Sequence, residues 1–138
     1  MTEVNDQDQV GALLPIRPTA GGLGPWIKHD LFRGHGSVHI WDLLGASQAP
    51  PFQAVLWCEL EAGGAVGKHR QQEHPEIVIG LSGSGRISVD EQTYTFGPGV
   101  SVFLPLGSLL SINAATEGPL VYLIIKARED GAEGGEAS

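Results

Sequence analysis

Apolar and polar residues alternate at period two over several short segments, and glycine or proline closes almost every one. The cleanest case is Phe52–Leu60, where Phe52, Ala54, Leu56, Cys58 and Leu60 fall on one face and Gln53, Val55, Trp57 and Glu59 on the other. In Ser37–Leu44, Val38, Ile40, Asp42 and Leu44 share a face opposite His39, Trp41 and Leu43. Both segments are largely apolar on both sides, which predicts strands covered by the interior on one side and by a subunit partner on the other. Further strands are predicted at Arg86–Val89 and Thr93–Phe96, joined by Asp90-Glu91-Gln92, and at Val100–Leu104, Leu109–Asn113 and Leu120–Ala127. Near the start, Gly11–Arg17 reads as a short edge strand limited by Pro15, Thr19–Pro25 as a loop, and Trp26–Arg33 as a short strand or turn. Gly or Pro interrupts nearly every candidate for a long amphipathic helix, so the expected class is all-β, a sandwich or barrel.

One stretch adds chemistry to this pattern. Gly63–Gly85 reads GGAVGKHRQQEHPEIVIGLSGSG, and the pattern predicts a β-hairpin between two glycine turns. Positions 69 and 71 of a strand point to the same side, so His69 and Gln71 can face one point, and Glu76 opens the returning strand toward it. These are metal-ligand residue types, and they serve equally as a hydrogen-bonded pair in a polar pocket.

Composition narrows the function classes. At 138 residues the chain suits one domain, expected over 11–128, with a disordered lead at 1–10 and a mobile acidic tail at 129–138. The formal net charge of −8 opposes nucleic acid and anionic membrane surfaces, so neither is an expected partner. A single cysteine, Cys58, rules out an internal disulfide, and in a strand it reads as a small buried hydrophobe before a nucleophile. The polar, acidic N-terminus MTEVNDQDQ has neither the basic nor the apolar region of a signal peptide, and the chain has no membrane-length apolar run. The expected location is the cytoplasm.

With these residues in place, the chain resembles the cupin superfamily. The first cupin motif runs Gly, five residues, His-x-His, three or four residues, Glu, six residues, Gly; Gly63, His69, Glu76 and Gly83 keep its spacing, and Gln71 holds the second histidine's place. The second runs Gly, five residues, Pro-x-Gly, two residues, His, three residues, Asn; Gly99, Pro105 and Gly107 match, while Leu110 holds the histidine's place and Ala114 the asparagine's. The resemblance implies a single antiparallel β-barrel of jelly-roll type and, by analogy with other small cupins, a homodimer. In members with the full set, three histidines and the glutamate hold a divalent transition metal.

Here Leu110 has no lone pair, and Gln71 offers only a neutral amide oxygen. The metal candidates are therefore His69, Gln71 and Glu76, with His39 or His74 as a recruited third donor; the other expectation is no cofactor at all. Leu110, Ile112, His39 and Trp57 are the candidate ligand-contacting residues, though His39 and Trp57 also suit ordinary packing. Two functions follow. One is a module that binds a small organic ligand beside a partly lost metal site. The alternative is a metal-dependent dioxygenase, isomerase or lyase using His69, Glu76 and a third donor.

Overall fold

The computed structural model of the protein describes residues 22–45 and 48–128. Ten strands run in order: β1 (Leu23–His29), β2 (Ser37–Asp42), β3 (Phe52–Leu60), β4 (Ala65–Arg70), β5 (Glu76–Ser82), β6 (Gly85–Val89), β7 (Gln92–Phe96), β8 (Ser101–Leu104), β9 (Leu109–Ala114) and β10 (Leu120–Ala127). A short 3-10 turn, Leu31–Arg33, lies between β1 and β2. Among the described residues, no helix is long and apolar enough to cross a membrane.

The strands form two antiparallel sheets, one of six strands in the order β1-β2-β3-β10-β5-β8 and one of four in the order β4-β9-β6-β7. This is the jelly-roll arrangement expected from the sequence. Among the described residues the sheets meet in one isolated bridge, His35 with Ala65, so they form a two-layer sandwich without a closed ladder. The inward sides of both sheets supply the core, with Val78, Ile87, Phe96, Leu104 and Leu120 fully buried and Leu60 and Ile112 nearly so. Alternation sets this selection: in β5, Glu76, Val78 and Gly80 are buried while Ile77 faces out and is 41% exposed.

Both β3 and β10 occupy the residues predicted for them, and they pair along almost their whole length, from Leu60 with Leu120 to Phe52 with Ala127. The hairpin of β6 and β7 also forms, with Val89 paired to Gln92, so its loop is the two residues Asp90 and Glu91. Asp90 takes φ 58° there, a conformation aspartate tolerates, and its carboxylate Oδ1 accepts the Leu109 N–H at 3.1 Å.

The Gly63–Gly85 hairpin does not form. Its first half, β4, pairs with β9 in the four-stranded sheet, whereas β5 pairs with β10 and β8 in the other. After β4, Gln71 continues along the first sheet, with its N–H donated to Ser108 O (2.8 Å) and its carbonyl accepting the Gly107 N–H (2.7 Å). Residues 72–75 then carry the chain across to the second sheet. A glycine-bounded pair of strands is compatible with either pairing, and non-local partners decided it. Leu23–Pro25, expected in a loop, begin β1, where Leu23 pairs with Asp42. The expected strand at Gly11–Arg17, the lead at 1–10 and the tail at 129–138 lie outside the described residues.

Candidate functional site

A cavity of about 420 Å³ opens between the two sheets, within the size range of small-molecule sites. Its body is apolar: Val38, Ile40, Leu56 and Ile124 come from the six-stranded sheet, and Val66, Leu110 and Ile112 from the four-stranded one. The polar groups are His69, Arg70 and Gln71 at the end of β4, Gln72, Glu73 and His74 on the crossing segment, Glu76 at the start of β5, and Lys28 and Lys126. The crossing that replaces the expected hairpin therefore lies along the cavity.

Of the residues singled out from the sequence, His69, Gln71, Glu76, Leu110 and Ile112 all line this cavity. His69 and Leu110 are direct cross-strand partners. His39 and Trp57, the other two candidate ligand contacts, are not among the lining residues. Their strand neighbours Val38, Ile40, Leu56 and Cys58 face the cavity, so alternation turns His39 and Trp57 to the outer side of the sheet. Trp57 is nonetheless buried, and its indole N–H donates to Glu59 Oε2 at 2.9 Å on that same side. Of the two recruited-donor candidates, only His74 reaches the cavity wall.

Local structure fixes the state of His69. Its Nδ1 lies 2.9 Å from the carbonyl oxygen of Gly67, and because a carbonyl only accepts, Nδ1 carries the proton. In the neutral ring Nε2 then holds the lone pair. The Phe32 ring stacks on the imidazole with centroids 3.7 Å apart and planes 11° from parallel. Phe32 sits in a tightly wound loop in which Asp30, Phe32 and Arg33 have φ of 48°, 53° and 63°, each costly for a non-glycine residue. Gly67 makes this approach feasible, since a β-carbon there would overlap the Phe32 carbonyl oxygen.

Glu76 is buried, and its charge is answered by its cross-strand partner: Lys126 Nζ lies 3.5 Å from Glu76 Oε2. Neither Phe32 nor Lys126 stood out in the sequence. Lys126 is the one charged residue in the inward-facing series Leu120, Tyr122, Ile124 and Lys126, a signal visible only once the inward face is known. His74 Nδ1 is buried without a hydrogen-bond partner, and its Nε2 stands 4.0 Å from Glu73 Oε1.

Cys58 and Tyr122, paired across β3 and β10, also face the cavity. Burial, reinforced by the Glu76 charge, pushes the Cys58 thiol far above its ordinary range; burial first, then Cys58 and Glu76, raises the Tyr122 phenol. Cys58 is thus a protonated wall residue, as its strand position predicted, rather than a thiolate nucleophile. Groups whose folded pKa is raised contribute stability that is complete below the unfolded pKa and lost as pH rises above it. Unfolding free energy should therefore fall above about pH 8.5 by about 1.4 kcal/mol per pH unit for the thiol, and more steeply above about pH 10 as tyrosine joins. Urea midpoints measured across this range should show the fall, and Cys58→Ala should move its onset upward; an unchanged onset would assign the effect elsewhere.

A family model described as the cupin domain matches residues 56–126. Among solved structures, the chain is similar to one described as a predicted oxalate decarboxylase from Thermotoga maritima, with TM-score 0.72 and 21% identity, covering 83% of this chain and 99% of that one. A cupin-2 domain from Rhodospirillum rubrum gives TM-score 0.66 and 20% identity over 83% of this chain and 79% of that one. KdgF from a Halomonas species gives 0.57 and 15% over 69% and 83%. At such identities the likeness concerns the fold. No curated protein matches the sequence.

Proposed function

The chain belongs to the cupin domain family, and from that premise we propose that it binds a small organic ligand in its cavity without a resident transition metal. The observation that carries this reading is the pairing of the buried Glu76 carboxylate with Lys126. The one anionic donor among the motif positions already has a fixed counter-charge, and an added divalent cation would have to share Glu76 with the ammonium group.

The rest of the donor set agrees. Leu110, opposite His69, cannot ligate, and Gln71 offers only a neutral oxygen. Among the described residues, no group of three His, Cys, Asp or Glu side chains is arranged to hold an ion. The residues present therefore fit a transition metal poorly. They fit recognition of a polar group better: His69 Nε2 offers an acceptor and the Tyr122 hydroxyl a donor, while Leu110 and Ile112 receive an apolar body. A homodimer and a cytoplasmic location remain the accompanying expectations, and the outer face of the six-stranded sheet carries exposed Ile77 and Phe103.

Ligand-observed NMR of the full chain against a library of small organic metabolites tests this reading. Binders should lose contact with an Ile124→Trp variant, in which the indole fills the cavity beside Leu56, its partner across the strands. The reading fails if nothing binds, or if every binder is indifferent to the filled cavity.

A further inference from the structure

The chain is acidic overall, with 16 Asp and Glu against 8 Lys and Arg, yet its cavity reverses that balance. Three cationic side chains line it, Lys28, Arg70 and Lys126, against two anionic ones, Glu73 and Glu76, an excess of one positive charge. Lys126 is occupied by Glu76, so the pair is internally neutral and Glu76 does not oppose an incoming anion. The excess rests with Lys28 and Arg70, both exposed and set against the single exposed Glu73. Arg70 Nη1 donates to the Gly107 carbonyl at 2.7 Å, which orients the guanidinium and leaves its charge unneutralised.

Two further features point to a polar group on the ligand. His74 Nδ1, on the same wall, is buried with no partner and so has hydrogen-bonding capacity that the protein leaves unused. Burial keeps the Tyr122 phenol protonated, so its O–H can donate to a polar group within the cavity. Leu110, Ile112, Val66 and Leu56 carry no ionisable group, so a second charge on a ligand body lying against them would be stranded.

We infer that the ligand is a small monocarboxylate with an apolar body, its carboxylate drawn to Lys28 and Arg70 and its body lying against Leu110 and Ile112. This rests on the binding reading above and names the ligand class. A low-dielectric cavity lined by exposed cations focuses their field, so charge selection should exceed what the same residues would give on an open surface.

Isothermal titration calorimetry of the full chain with sodium hexanoate, 1-hexanol and hexylammonium chloride at low ionic strength tests it. Hexanoate should bind at least about tenfold more tightly than 1-hexanol and weaken as sodium chloride is raised, while hexanol should not respond to salt. Lys28→Glu with Arg70→Glu should weaken hexanoate by about tenfold or more and leave hexanol unchanged; retained hexanol binding reports that this variant is folded. If the charge-reversed chain loses hexanol as well, the salt dependence of the unsubstituted protein decides. Equal binding of hexanoate and hexanol, or tighter binding of hexylammonium, overturns the inference and leaves the cavity's binding role standing. If none of the three probes binds, the ligand class is wrong, and the binding role fails with it only when the metabolite library also gives no cavity-dependent binder.

Discussion

Zinc should bind a Gln71→His/Leu110→His variant at least about 100-fold more tightly than it binds the native chain, because a single outer-shell partner is worth about 10–100-fold in metal affinity and two inner-shell imidazoles exceed that. Position 110 pairs directly with His69 across β4 and β9, and position 71 shares the His69 side of the chain. The three imidazoles and Glu76 would then line one cavity. Leu110 is 2% exposed, so an imidazole without a partner there should cost about 1–3 kcal/mol in the metal-free variant. Added zinc should restore that stability by mass action. Calorimetric titration and thermal melts with and without zinc measure both effects. Micromolar zinc binding by the native chain, abolished by His69→Ala, would show that the native donors already suffice and would sink the metal-free reading.

The second large effect concerns the charge pair. Lys126→Met should destabilise the protein by about 2–4 kcal/mol, because it leaves the Glu76 carboxylate buried without its counter-charge. The Glu76 side chain is 7% exposed and that of Lys126 31%, so water screens the lysine end and holds the cost below that of a fully enclosed pair. Adding Glu76→Gln should recover more than half of the loss, since the neutral amide no longer needs a cation. The double-mutant cycle is read from denaturant midpoints at constant m-value. A loss under about 0.5 kcal/mol for Lys126→Met alone would place the pair among solvent-screened surface contacts and remove the main argument against a shared metal.

Much of the site was already present in the residue pattern. Spacing from Gly63 through His69 and Glu76 to Gly83 marked the fold, and alternation separated the two faces of β3. Leu110 and Ile112 were named as apolar cavity residues through the likeness of Gly99, Pro105 and Gly107 to the second cupin motif, and the structure brings both to the cavity wall. His39 and Trp57 show the limit of this reasoning. Where both faces of a strand are apolar, alternation separates two sets without saying which set faces inward. Lys126 and Phe32 were invisible for a different reason. Each matters through a partner distant in the chain, Glu76 for one and His69 for the other.

The Gly63–Gly85 stretch draws the line between the two levels. Its composition determined by itself that two strands would form there and that His69, Gln71 and Glu76 could serve one site, because period-two geometry is local to each strand. Which strands they pair with was decided only in the tertiary structure. Neighbouring strands with a five-residue connection can close a hairpin or cross between layers, and the outcome depends on backbone hydrogen bonds to β8, β9 and β10, 22 or more residues downstream in every paired position. The crossing sets Glu76 opposite Lys126 and His69 opposite Leu110. Those two pairings decide the chemistry, since one supplies the carboxylate with its cation and the other gives the imidazole an apolar neighbour in place of a third ligand.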